Sequence, residues 1–161
     1  MNPNFKAFKS LITHAVKYKA FLFTKLPMAY LAGLKVLNLT EEEATVSVKF
    51  KWLNQNPFRS IYFAVLSMAA ELSTGILASG QVHGRTPSVS MLVVKVEGEF
   101  YKKAVGKIIF TCNDGAKIAA AVEETVATKE GVTCQATSIG KNEAGEDVAK
   151  FVLTWSFKSK V

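Results

Sequence analysis

Between Ser60 and Ser79 the chain runs twenty residues, SIYFAVLSMAAELSTGILAS, with one charged side chain, Glu71. An ionised carboxylate in apolar surroundings is costly unless it pairs, shifts its pKa or lines a cavity. Read as a helix, the segment puts Ala64, Ser67, Thr74, Gly75 and Ala78 on the face of Glu71. The large residues Ile61, Val65, Leu66, Leu72, Ile76 and Leu77 fall on the other side. Glu71 therefore lies on a stripe of small residues that another surface can approach closely. Two roles are open to it. One is a contact with a basic or hydroxyl group at a subunit interface. The other is a carboxylate beside a cleft, its pKa raised by burial, able to act as a base. Upstream, Asn56-Pro57-Phe58-Arg59-Ser60-Ile61-Tyr62-Phe63-Ala64 places an amide side chain shortly before the helix N-terminus. Free N–H groups there can hold a carbonyl oxygen as it becomes an oxyanion.

The rest of the chain has to position these groups. The first third reads as helix, with a break near Lys17–Lys19 and a second short helix stopped by Pro27. From Gly33 the apolar period shortens to two. Leu34–Thr40 and Thr45–Trp52 form a hairpin through Glu41–Glu43, with Val46, Val48, Phe50 and Trp52 on one face. Asn54-Gln55-Asn56-Pro57 ends that strand, and the long helix follows. After the loop His83–Pro87 come strands Val89–Tyr101 and Val105–Cys112, joined by a turn near Lys102–Lys103. Asn113-Asp114-Gly115 opens a helix, and strands Val132–Ile139 and Val148–Phe157 close the chain through a hairpin at Asn142–Glu146. A helix that is apolar on nearly all sides must be wrapped. A curved antiparallel sheet of five or six strands does this, which makes the chain α+β with the hot-dog arrangement. Residues 1–32 form a helical arm packed on the domain, and residues 33–161 the domain itself.

The Asn56-to-Glu71 stretch resembles the hot-dog acyl-CoA thioesterases of the PaaI and 4-hydroxybenzoyl-CoA type. Those carry an amide, often followed by proline, then His-Gly-Gly opening the helix and an acid nine residues after the His. On this chain the amide falls on Asn56 and the proline on Pro57. The His falls on Tyr62, the glycines on Phe63 and Ala64, and the acid on Glu71. The string NPFRSIYFAVLSMAAELSTGILA is most similar to a divergent hot-dog group, the DUF4442 family, which carries a thioesterase assignment. The resemblance implies an acyl thioester hydrolase in which Glu71 activates water or attacks the thioester itself, and Asn56 orients the water or carbonyl. The Phe63 N–H would stabilise the oxyanion, and Tyr62 would hydrogen-bond the thioester or pack beside it. Ser67 and Thr74 would line the substrate path on the face of Glu71. It further implies a site shared across a homodimer or homotetramer, with Ser88 or Ser90 supplied by a second subunit. Lys102 and Lys103 would meet the phosphates of coenzyme A, present as part of the substrate and not as a separate cofactor. The alternative is a non-catalytic module that binds an acyl or fatty ligand, for which Tyr62-Phe63 in place of His-Gly argues.

Composition bounds the remaining choices. The chain has 161 residues, 49% hydrophobic and 20% charged, which suits one globular domain. Cys112 and Cys134 sit in apolar strand context, as core residues of a reduced, cytoplasmic protein. Residues 1–40 hold Lys6, Lys9, Lys17, Lys19, Lys25 and Lys35 and no acid. Such an arm suits an amphipathic helix packed through Phe5, Phe8, Leu11, Ile12 and Ala15, or a contact with a membrane surface. No nucleic-acid-reading module accompanies these lysines. His14 and His83 have no metal-ligand spacing with the cysteines, so no metal site is expected.

Overall fold

The computed structural model describes residues 2–160; Met1 and Val161, the outer limits of the two regions read from sequence, lie outside the described residues. The arm is three helices, α1 (Phe5–Thr13), α2 (Ala15–Lys25) and α3 (Pro27–Ala32). A hairpin of β1 (Lys35–Leu39) and β2 (Ala44–Lys49) leads to a short 3-10 turn (Trp52–Asn54) and then to the long helix α4 (Phe63–Val82). Strands β3 (Val89–Phe100) and β4 (Lys107–Cys112), helix α5 (Gly115–Thr128), and strands β5 (Val132–Lys141) and β6 (Asp147–Ser159) complete the chain.

The six strands form one antiparallel sheet in the order β1-β2-β4-β5-β6-β3. Its concave face closes around α4, which touches all six strands. By length and composition α4 could cross a membrane, yet its apolar residues are spent against the sheet and are mostly buried. This is the hot-dog fold. The inward rows of the sheet supply the wrap: Val46 and Val48 from β2, Ile108 and Phe110 from β4, and Phe151, Leu153, Trp155 and Phe157 from β6, all buried. Alternation with polar partners puts each row on one face.

Two glycines let α4 sit close to its neighbours. A Cβ on Gly80 would lie 2.4 Å from the ring of Phe5, so α1 rests directly on the helix backbone. A Cβ on Gly75 would meet Trp155 at 3.3 Å. The arm is further tied down by Asn2, whose side-chain amide donates to the carbonyls of Gly80 and His83. Buried hydroxyls fix the helix against the sheet: Ser73 and Ser138 share a 2.7 Å hydrogen bond.

Several local readings are corrected. Pro27 ends α2 but also begins α3, occupying the first helical turn where a missing N–H costs nothing. The first break falls at His14, which caps α2, and not at Lys17–Lys19. Leu11 and Ala15 face solvent, while Phe5, Ile12, Tyr18 and Leu22 hold the arm to the domain. Strand β2 stops at Lys49, because the Asn54 side chain accepts from the Lys51 N–H and curls the chain into the 3-10 turn. That turn throws Trp52 outward, 79% exposed, instead of onto the core face with Val46 and Val48.

Candidate active site

Glu71 lies midway along α4, half-buried, where the α2–α3 corner leans on the helix. It faces a cavity of about 250 Å³ lined by Leu26, Pro27, Met28 and Ala29 of that corner, with Met68 and Leu72 of α4. Lys25 borders the same cavity but forms no ion pair with the carboxylate among the described residues. No N–H or O–H donates to its oxygens there either. Burial alone acts on the group, and it raises the Glu71 pKa above the ordinary carboxylate value. One oxygen would lie 3.0 Å from a Cβ at Gly75, so the small residue one turn on is what leaves the carboxylate room.

Asn56 opens a second recess. Its side-chain oxygen accepts from the backbone N–H of Phe58 (2.9 Å) and of Ser60 (3.3 Å), an Asx-type turn that sets the approach to α4. Its amide nitrogen donates to the Ser60 hydroxyl at 3.0 Å, which leaves one N–H uncommitted. The recess, of about 570 Å³, is lined by Asn56, Phe58, Tyr62, Phe63, Phe100, Lys102 and Lys103 among others. At its floor α4 begins. Tyr62 occupies the N-cap position without a side-chain cap, so the N–H groups of Phe63 and Ala64 have no acceptor among the described residues. The Tyr62 and Phe63 rings meet edge-on at 4.8 Å, and Phe63 meets Phe100 at 6.3 Å. Tyr62 thus packs on its neighbour at the mouth of the recess.

Sequence comparison gives the family of the chain. The profile of the domain of unknown function DUF4442 matches residues 15–157. The chain belongs to the DUF4442 family.

Solved structures share its fold at low identity. A Pseudomonas aeruginosa protein of unknown function, described as a probable thioesterase, superposes with TM-score 0.76 at 18% identity, covering 90% of this chain and 96% of that one. A mutant of a thioesterase enzyme from Staphylococcus aureus gives 0.62 at 12% identity, covering 86% and 98%. A thioesterase from Haemophilus influenzae gives 0.62 at 9% identity, covering 87% and 88%. No curated protein matches the sequence significantly.

Within the DUF4442 chain, the residues singled out by sequence fall into separate places. Asn56, Tyr62, Phe63, Lys102 and Lys103 share the recess at the start of α4. Glu71 opens into the other cavity, eight residues further along the helix, a rise of about 12 Å. Ser67 stands one turn before Glu71, half-buried, with its hydroxyl uncommitted among the described residues. Thr74 does not face a cleft. It is fully buried, donates to the Glu71 carbonyl and accepts from the Trp155 indole at 3.0 Å, so its hydroxyl is spent on packing. Lys102 is already paired with Glu146 at 2.5 Å, which leaves Lys103 as the cation of that turn without an ion pair among the described residues. Ser88 and Ser90 are exposed at the far end of β3, where the Ser90 hydroxyl donates to the Lys158 carbonyl.

Two contributors escaped the sequence reading. Trp155, read as one of an alternating row, forms the wall against Gly75 and pins Thr74. Leu26 and Met28 of the arm cover Glu71. The only sequence signal for the latter was Pro27, which marks a corner but not what the corner rests on. Cys112 and Cys134 are buried, free thiols; burial pushes Cys112 up to about 12, so it is not a nucleophile near neutral pH.

Proposed function

We propose that this chain hydrolyses acyl thioesters, with Glu71 as the base. What supports the reading is a half-buried carboxylate, unpaired among the described residues and raised in pKa, in a small apolar cavity on a hot-dog helix. A carboxylate tuned upward by burial is a stronger base than a solvated one. In the proposed step Glu71 takes a proton from water as its oxygen attacks the thioester carbonyl carbon. The carbonyl oxygen gathers charge and is held by free N–H groups at the start of an α4, of which the Phe63 N–H is one. The C–S bond then breaks, and the Glu71 proton leaves with the thiolate. The apolar lining of Met28, Met68 and Leu72 suits an apolar acyl group. In this reading Lys103, which lines the recess, meets a phosphate of coenzyme A.

Base and oxyanion groups open into different recesses of one protomer, so the proposed site is completed by a second copy. The edge strand β3 is the surface for it. Its outer backbone is unpaired in the sheet order, and Leu92, Val94, Val96 and Phe100 are each about half or more exposed. Antiparallel pairing of two β3 strands about Val96 sets Lys95 of each copy opposite Glu97 of the other. It also brings the Ser88–Ser90 end of one strand toward the Phe100–Lys103 end of the other, beside the Asn56 recess. Lys95→Glu is expected to weaken the dimer about tenfold or more by setting like charges opposite each other twice. Adding Glu97→Lys is expected to restore it, as read by analytical ultracentrifugation. If the single and double variants dissociate alike, this pairing is wrong.

The test of the activity is thiol release from short, long and aromatic acyl-CoAs. Turnover of at least one is expected. The aromatic cover of Tyr62 and Phe63 over the helix N-terminus is the observation that favours a binding module instead. No turnover on any thioester, with an acyl ligand copurifying, would establish that second reading.

A further inference from the structure

The helical arm carries an outward face that the fold does not use. On α2, Tyr18 and Leu22 point into the protein, and Val16, Ala20 and Phe23 fall on the opposite side at helical spacing. Val16 is 71% exposed and Phe23 is 64% exposed. Lys17 and Lys19 flank this stripe on its two sides, about 90° and 70° away by helical geometry. The apolar face continues beyond α2. Phe23 meets Tyr30 of α3 edge-on at 5.5 Å, and the Leu31 carbonyl next to it accepts from the Lys51 ammonium at 2.6 Å. That contact, with the Asn54 amide on the Ala32 carbonyl, joins the arm to the 3-10 turn that projects Trp52 and Leu53 into solvent.

We infer that this face, from Val16 and Phe23 through Leu31 to Trp52, docks the protein on an anionic lipid surface. Charge argues for lipid over a protein partner. Six lysines and no acid lie in the first 40 residues, and none of the six forms an ion pair among the described residues. An arm of one charge sign, with Lys17 and Lys19 flanking exposed Val16 and Phe23, matches the composition of helices that lie in a membrane interface. The lysine stems reach past the apolar stripe, so their ammonium groups meet headgroup phosphates while the rings enter the acyl boundary. The surface is independent of the Glu71 cavity chemistry and stands whether or not the thioesterase reading does.

Trp52 provides a direct readout, because the other tryptophan, Trp155, is 3% exposed. The intact protein is mixed with vesicles of phosphatidylcholine carrying about one-third phosphatidylglycerol, and with pure phosphatidylcholine vesicles. Sedimentation with the anionic vesicles and a blue shift of tryptophan emission are expected, with both effects reduced as salt rises from about 0.1 to 0.5 M. Changing Lys17, Lys19 and Lys35 together to Gln is expected to weaken binding about a hundredfold, from a factor of about five per lysine. Trp52→Ser abolishes the blue shift, and Phe23→Ser reduces sedimentation. All these side chains are exposed, so unchanged circular dichroism shows that the variants are folded. Equal binding to both vesicle types, or binding to neither, overturns the inference. A self-association lost in Phe23→Ser without vesicle binding would assign the face to a second copy of the chain instead.

Discussion

Glu71→Gln is expected to remove most of the proposed thioester hydrolysis, by a factor of about 10² to 10⁴, while leaving the protein folded. Gln keeps the shape of the side chain and its room against Gly75, but it cannot take a proton. The same substitution has a second signature that a merely structural role would not produce in a rate. The carboxyl pKa is raised in the folded protein relative to its ordinary value of 4.5, through burial. The native state therefore holds this proton more tightly than the unfolded chain does. Its contribution to stability is fully present below about pH 4.5 and is lost as pH rises through the higher folded value. Wild type should lose stability across that window relative to Glu71→Gln, measured as the difference in urea midpoint at each pH. Activity should run the other way, since only the ionised form accepts a proton: kcat/KM rises through the same window in the wild type. Equal rates in the two proteins would exclude Glu71 as the base.

Much of the scaffold was legible because its signals are periodic. The alternation of Phe151, Leu153, Trp155 and Phe157 fixes a half-buried strand, and twenty residues with one charge demand a wrapped helix. Glu71 itself stood out for the same reason, as the break in an apolar pattern. What stayed hidden depends on chain geometry that periodicity does not encode. Trp52 continues the Val46–Val48 alternation in sequence, yet the Asn54 side chain accepts from the Lys51 N–H and the strand ends at Lys49, three residues before it. Thr74 lies on the helical stripe of Glu71, but the stripe is wider than the cavity, and Trp155 claims the hydroxyl. The separation of Asn56 from Glu71 was likewise invisible. Spacing along a chain gives register on one helix, whereas a site shared between subunits depends on a symmetry that one sequence does not display. The arm's place over Glu71 is a long-range contact of the same kind.

Phe110→Ala is expected to lower stability by about 3–5 kcal/mol, the range for truncating a fully buried aromatic side chain. Phe110 is fully buried at the centre of β4, opposite Gly140 of β5 in the sheet and 5.9 Å from the ring of Phe151. Its ring occupies the volume above the glycine: a Cβ on Gly140 would lie 2.5 Å from it. Gly140→Ala alone is therefore overpacked and costs about 1–3 kcal/mol. The two sites share one space, so their effects must not add. Phe110→Leu shortens the ring's reach, and Gly140→Ala then supplies a methyl group to the gap it leaves. The double variant is expected to be more stable than the sum of the single changes by about 1 kcal/mol or more, beyond the scatter of independent sites. Urea unfolding at fixed protein concentration measures this, provided the m-value is unchanged. Additivity within about 0.5 kcal/mol would mean that the ring does not rest on the glycine. Because Phe110 touches neither recess, folded Phe110→Leu/Gly140→Ala should keep the wild-type pH dependence of hydrolysis, which separates loss of stability from loss of the base.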